Sequence, residues 1–240
     1  MSATLLGVGV GPGAPDLLTL RAVAALRGAP VLAAPRTSDE AEPLAWRIAR
    51  EAAGEVPGQE RLLLTFPMTR APSVRAAARE AAVAAVAARL AAGRSVAFVT
   101  EGDPLLYSTF LDLLEAAPRA GARVEVVPGI SSVTAVAAAA CVPLADGEDA
   151  VAVLPAARAL RDLPGLVRAF ETLLLLKAGR HLPALAAGLG ELGLAGQAWA
   201  VTNASRPDQQ VTPLTRLEAT APQAGYFTTV LVRTAPELRP

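Results

Sequence analysis

Short apolar runs alternate with alanine-rich or amphipathic stretches along most of the chain. Thr4–Val10 is an unbroken, mostly apolar run of strand length. Asp16–Arg27 has the spacing of a helix, Val31–Ala34 reads as a short strand closed by Pro35, and Glu42–Ala53 reads as a helix. Arg61–Thr65 is strand-like. Pro72–Ala92 is a long helix of Ala, Arg and Val, with Pro72 near its first turn and Gly93 just past its end. Ser95–Thr100 predicts a fourth strand, Leu105–Ala117 a helix, and Arg123–Val127 a fifth strand that runs into Pro128-Gly129. Strands alternating with helices in this way predict a parallel sheet.

Beyond Gly129 the strands become more polar. Ser131–Ala140 reads as a helix, Ala150–Leu154 and Thr172–Leu176 as strands, and His181–Leu192 as a helix interrupted by Gly188 and Gly190. Ala198–Val201, Gln209–Pro213 and Tyr226–Val232 are strand-like, without clear helices between them. That grammar predicts a mixed sheet. The expected architecture is therefore two α/β domains, over 1–130 and 131–240, with a parallel N-terminal and a mixed C-terminal sheet. No internal repeat is visible.

Composition narrows the function. The 240 residues carry 22 basic and 22 acidic side chains, and 52% are hydrophobic. Zero formal charge gives no electrostatic footprint for nucleic acid. Lys177 is the single lysine, so the other cations are arginines, whose planar forks match carboxylates. One cysteine, Cys141, and one histidine, His181, exclude disulfide frameworks and multi-Cys or multi-His metal sites. The longest uncharged run, Val126 to Ala145, is punctuated by Pro128, Gly129 and Pro143, so no membrane span is expected. The first residues lack the pattern of a signal peptide, and a cytoplasmic protein is expected.

The densest signal is Gly7-Val8-Gly9-Val10-Gly11-Pro12-Gly13, at the end of the first strand. Glycine lets backbone approach a ligand or another chain segment closely. A dinucleotide fingerprint fails here: counted from Gly7 its third glycine falls on Pro12, and counted from Gly9 it falls on Ala14. A P-loop fails because no lysine is nearby. The turn alone fits either a structural bend or a ligand-facing loop.

Two more loops come after predicted strands: Thr100-Glu101-Gly102-Asp103-Pro104 and Val127-Pro128-Gly129-Ile130-Ser131-Ser132. Asp103 with Pro104 reads equally well as the N-cap and first residue of a helix. Ser131 and Ser132 read equally well as capping hydroxyls. Three such loops at strand ends are expected to meet at the carboxyl edge of the first sheet, facing the second domain, where open α/β sheets bind ligands.

Taken together, Gly-Val-Gly-Pro-Gly, Gly-Asp-Pro and Val-Pro-Gly-Ile-Ser-Ser resemble the tetrapyrrole methylase family. The string from Thr100 to Phe110 is similar to the branch acting at C20 of precorrin-2. The resemblance implies S-adenosylmethionine as methyl donor, held in a cleft between two α/β domains, with no protein-bound metal. It implies cofactor contacts at Gly11, Pro12, Glu101, Gly102, Asp103, Ser131, Ser132, Lys177, Asn203, Ala204, Thr228 and Thr229. Lys177 departs from the methionine common at its position, which favours a backbone role there. Candidate acid/base groups are Asp103, Glu101 and Tyr107. A polycarboxylated substrate, precorrin-2 or cobalt-factor II, points to Arg36, with Arg180 and Arg206 as further candidates. His181 reads as an exposed residue at a helix start. A homodimer is implied, and neither nucleic acid nor membrane is an expected partner. A sister methylase acting at another carbon is the nearest alternative. A nucleotide-dependent oxidoreductase with a degenerate turn, or a non-catalytic binding module, would belong to a different class.

Overall fold

The computed structural model describes residues 3–38, 42–69, 71–217 and 225–234. The chain divides into two compact units, Met1–Ser131 and Ser132–Pro240.

In the first unit, five strands form one sheet: β1 (Thr4–Gly9), β2 (Val31–Arg36), β3 (Glu60–Thr65), β4 (Val96–Thr100) and β5 (Arg123–Val127). Their order is β3-β2-β4-β1-β5, and every neighbouring pair is parallel. The inner strands β1, β2 and β4 are buried on both faces, whereas the edge strands β3 and β5 are partly exposed. Leu5, Val31, Leu62, Val96 and Phe98 pack on one side with α3 (Pro72–Ala91) and α4 (Ala116–Arg119). Val8, Leu32, Ala97 and Val99 pack on the other with α1 (Leu20–Gly28) and α2 (Leu44–Ala53). Pro35 lies within β2, where only β3 still pairs, since β4 leaves after Ala33. An edge position tolerates the missing N–H.

The second unit holds β6 (Val151–Pro155), β7 (Thr172–Leu176), β8 (Ala198–Thr202), β9 (Gln210–Pro213) and β10 (Thr228–Arg233), in the order β6-β7-β10-β8-β9. Only β6 and β7 run parallel, so the sheet is mixed. Helix α5 (Ser132–Ala140) covers one face, around Leu174, Val201 and Leu231. On the other face, Leu173, Leu175 and Val230 pack with α6 (Ala156–Ala159), α7 (Leu163–Ala169) and α8 (Leu182–Glu191).

Two helix expectations are corrected, and one further helical segment is added. The helix expected from Asp16 starts at Leu20, because the Thr19 side chain caps it by accepting the Ala22 N–H; Pro15–Leu17 is a separate 3-10 turn. The helix expected over Leu105–Ala117 is a loop, a 3-10 turn at Thr109–Leu113, and then α4. The 156–169 segment, which carries no predicted element, forms α6 and α7. Asp162 caps α7 by accepting the Gly165 N–H, and Pro164 sits in the first turn, where proline's missing N–H costs no helix bond.

A part-buried ion pair ties Asp149 to Arg233, far apart along the second unit's described chain. Arg233 is 6% exposed and donates to Asp149 Oδ2 at 2.6 Å, to Thr172 Oγ1 at 3.0 Å and to the Leu144 carbonyl at 3.3 Å. The Asp146 amide first, and the Arg233 guanidinium second, hold the Asp149 carboxyl below its ordinary value of 3.8. A lowered carboxyl stabilises the fold above its unfolded value and loses that contribution as pH falls through the folded value. Asp149→Ala should therefore lower the Tm at neutral pH, because it strands a buried guanidinium. The gap from the wild type should close below about pH 4. Thermal unfolding followed by circular dichroism from pH 3 to pH 7 measures it.

Candidate active site

Parallel order places the carboxyl ends of β1, β4 and β5 side by side, with β1 in the middle. The loops leaving them interlock through backbone. Val10 N–H donates to the Thr100 carbonyl at 3.0 Å, and Gly102 N–H donates to the Gly11 carbonyl at 2.7 Å. Gly129 N–H donates to Asp103 Oδ2 at 3.2 Å. A Cβ placed on Gly9 would lie 2.5 Å from the Gly102 carbonyl oxygen and 2.6 Å from Gly129 Cα. A Cβ on Gly129 would lie 2.1 Å from that same oxygen. Only glycine permits this approach.

The glycine run therefore divides by role. Gly7 belongs to the core, where a Cβ would meet the Phe110 ring at 2.5 Å. Gly9 belongs to the loop junction. Gly11 has φ +75°, and a Cβ there would face Leu17. Substitution at Gly11 thus strains the backbone wherever a ligand sits. Pro12 beside it is buried.

Neither acidic candidate caps the helix the sequence suggested. Glu101 Oε1 accepts the Ala45 N–H at 3.1 Å, at the first turn of α2, whose N-cap residue Pro43 has no side chain able to cap. A carboxylate there also complements the helix dipole. Asp103 Oδ1 accepts the Leu105 N–H at 2.9 Å in an Asx turn, and no helix begins at Pro104. Tyr107 is exposed, with φ 53°. Ser108 then turns the chain back: its Oγ accepts the Phe110 N–H at 3.0 Å and donates to Thr100 Oγ1 at 3.0 Å. Ser131 is half-buried at the end of the third loop, and Ser132, also half-buried, opens α5.

The second unit groups its candidates at adjoining strand ends. Ala178 N–H donates to the Thr228 carbonyl at 2.7 Å, and Asn203 N–H to the Phe227 carbonyl at 3.0 Å. The Thr202 and Thr228 hydroxyls meet at 2.9 Å, and Thr228 donates to the Gly225 carbonyl at 2.9 Å. Ala204 and Thr229 are buried. Lys177 is exposed, with its ammonium 5.5 Å from the Tyr226 ring centroid. An aromatic pair joins this group: Tyr226 stands edge-on to Phe227, and Arg206 lies 4.0 Å over the Phe227 ring. The contacts of Lys177 with Tyr226 and of Arg206 with Phe227 leave no sequence signal, because the partners are far apart in the chain.

The arginine candidates divide between the units. Arg36, half-buried at the end of β2, donates from Nε to Thr65 Oγ1 at 3.0 Å. Arg206 also donates to Asn203 Oδ1 at 3.3 Å. Arg180 donates from Nε to His181 Nε2 at 3.1 Å. His181 is half-buried rather than exposed, at the junction of a 3-10 turn and α8. Among the described residues, no group of three or more His, Cys, Asp or Glu could hold a metal ion.

The profile of the Tetrapyrrole (Corrin/Porphyrin) Methylases matches residues 4–220. The chain belongs to this family. It is 35% identical to a precorrin-2 C(20)-methyltransferase of Sinorhizobium sp, over 95% of this chain and 94% of that one. It is 32% identical to a cobalt-precorrin-2 C(20)-methyltransferase of Salmonella typhimurium, over 97% of each chain. The fold is similar to that of a uroporphyrin-III C-methyl transferase from Thermus thermophilus, complexed with S-adenyl homocysteine. That match has a TM-score of 0.61 and 23% identity, and covers 96% of this chain and 92% of the other.

In this tetrapyrrole methylase, backbone strain concentrates at the candidates. Tyr107, Lys177 and Asn203 all take positive φ, as do Cys141 and Ser205 among the described non-glycine residues. Such conformations cost roughly 1–3 kcal/mol each and persist where the surroundings impose them, often at functional sites. The Glu101 contact supplies a separate check. Glu101→Ala should remove the cap on α2 and lower unfolding free energy by about 1 kcal/mol, while Glu101→Gln, which keeps the acceptor, should lose less. Urea unfolding of both variants measures the difference.

Proposed function

We propose that this tetrapyrrole methylase transfers a methyl group from S-adenosylmethionine to C20 of precorrin-2, in corrin biosynthesis. Identity of 35% spanning nearly the full length of a precorrin-2 C(20)-methyltransferase carries the reading. The Thr100-to-Phe110 string supports the same branch. The Salmonella relative favours a second reading, in which the macrocycle already contains cobalt. In that second reading the cobalt would arrive inside the macrocycle, as part of the substrate. The reading also includes a cytoplasmic homodimer without a nucleic-acid partner, in keeping with zero net charge. No described helix is long and apolar enough to cross a membrane.

The residues present suit the donor. The loops 7–13, 101–104 and 128–132 contain no Lys or Arg, which disfavours a phosphate ligand. They present backbone amides and carbonyls with two carboxylates, which suits a cationic sulfonium bearing an aminoacyl chain. Donor contacts are proposed at Pro12, Gly102, Asp103 and Ser131 of the first unit, and at Ser132, Ala178, Asn203, Ala204, Thr228 and Thr229 of the second. Lys177 would contribute through its backbone. When bound, the donor supplies a methyl group already activated by positive sulfur.

The protein's contribution is then chiefly orientation, holding the acceptor carbon in line with the breaking S–C bond. The nearby carboxylates of Glu101 and Asp103 favour the cation in the ground state. Too tight an ion pair would slow transfer, because the positive charge disperses in the transition state. Both carboxylates hold backbone N–H groups, which keeps them at fixed positions. Tyr107 is exposed on the second loop and is the remaining candidate for handling the proton released from the macrocycle. Arg36, Arg180 and Arg206 would pair with substrate carboxylates.

Incubation with S-adenosylmethionine and either metal-free precorrin-2 or its cobalt form should add one methyl mass to the preferred macrocycle, with the new carbon at C20 by NMR. A methyl at another carbon would replace the branch assignment by a sister activity. NADH binding without S-adenosylhomocysteine binding would overturn the methyltransferase reading altogether.

A further inference from the structure

We infer that Asp103 is a positioning residue for the methyl donor rather than the acid/base group of the reaction. Its carboxylate acts by clamping the loop after β4 to the loop after β5. The inference rests on the methyltransferase reading above.

The geometry is specific. One oxygen closes the loop on itself, by accepting the Leu105 N–H at 2.9 Å. The other reaches across 26 residues of sequence to the Gly129 N–H at 3.2 Å. Gly129 sits where the Gly102 carbonyl and Gly9 backbone leave no room for a Cβ. Gly102 in turn donates to the Gly11 carbonyl at 2.7 Å. Asp103 thus lies at the point where all three loops are joined, and each carboxylate oxygen is engaged by backbone. A general base must bring an oxygen to about 2.6–3.2 Å from the proton it removes. Turning this carboxylate toward a substrate would break the clamp that holds the edge together.

The clamp also shapes the segment after it. Leu105, Leu106 and Tyr107 are exposed, and Tyr107 sits at φ 53°. Their placement depends on the Asx turn at Asp103. The carboxylate therefore sets the shape of the donor's backbone seat and of the apolar segment beside it.

Asp103→Asn separates the two roles. The amide oxygen still accepts from Leu105, but the amide nitrogen then meets the Gly129 N–H donor to donor. Asp103→Ala loses both contacts. With the clamp weakened, affinity for S-adenosylhomocysteine should fall about tenfold in Asp103→Asn and further in Asp103→Ala, as expected for losing hydrogen bonds to a charged group. In the same variants kcat at saturating donor should stay within about fivefold of the wild type, well short of the 10²–10⁴-fold loss of a removed base. Gly129→Ala, with the carboxylate intact, should reproduce the affinity loss by forcing the same loops apart. Calorimetric titration with S-adenosylhomocysteine, steady-state methylation assays and circular dichroism of each variant supply the readouts. Unchanged affinity with kcat lowered a hundredfold or more in Asp103→Asn would overturn the inference, whether or not Gly129→Ala folds. Failure of the wild type itself to bind S-adenosylhomocysteine would instead overturn the methyltransferase reading.

Discussion

The first unit depends on a contact between backbones. Gly9, Gly102 and Gly129 meet at the carboxyl edge of the sheet so closely that a methyl group on Gly9 or Gly129 would overlap a main-chain atom. The strand order makes this possible. Placing β1 between β4 and β5 brings the loops of both neighbours onto the end of β1. Such a junction cannot be filled by side chains, so its specificity comes from hydrogen bonds: Gly102 to Gly11, Val10 to Thr100, and Gly129 to Asp103. Close-packed backbone adjusts little, because there are no rotamers to rearrange. The result is a rigid rim of amides and carbonyls, suited to reactions governed by orientation.

The sheets are legible in the sequence because burial on both faces writes a simple code. Thr4–Val10, Ser95–Thr100 and Thr172–Leu176 are apolar runs of strand length, and each holds an interior place in its sheet. Loops and helix starts are less legible, because one residue type can perform several local tasks. Asp103-Pro104 has the composition of a helix start, yet the Asp103 side chain closes an Asx turn and reaches Gly129, a partner 26 residues away. Asp16 resembles the start of α1, but Thr19 supplies the cap. The glycine run reads as a single feature in the sequence. Space around each Cβ, which depends on tertiary neighbours, separates Gly7 in the core, Gly9 in the junction and Gly11 in the left-handed region.

The family resemblance proposes candidates that local pattern does not single out. Lys177, Asn203 and Thr228 lie in three separate segments, linked only by the pairing of β7, β10 and β8. Antiparallel pairing places the end of β7 and the end of β8 beside the start of β10, which produces the Ala178 to Thr228 and Asn203 to Phe227 backbone hydrogen bonds. The positive φ of Lys177 and Asn203 stems from the same constraint, since the chain must turn sharply while keeping these bonds. A side chain at such a position is secondary to its backbone geometry.

Glu101 and Asp103 show how two carboxylates two positions apart can serve different masters. Between them Gly102 takes φ +67°, which turns the chain between the two side chains. Glu101 reaches back to the first turn of α2, where the helix dipole and an amide donor receive it. Asp103 reaches across to the loop after β5. One short loop thereby joins the helix covering one face of the sheet to the rim beyond its strands. A neutral isostere at either position would retain one acceptor oxygen, but only the carboxylate at Asp103 offers two, and the junction uses both. The negative charge proposed to attract a sulfonium at this edge is therefore the same charge that shapes it. Electrostatic attraction and backbone order therefore cannot be tuned independently at Asp103, whose two oxygens each hold a backbone amide.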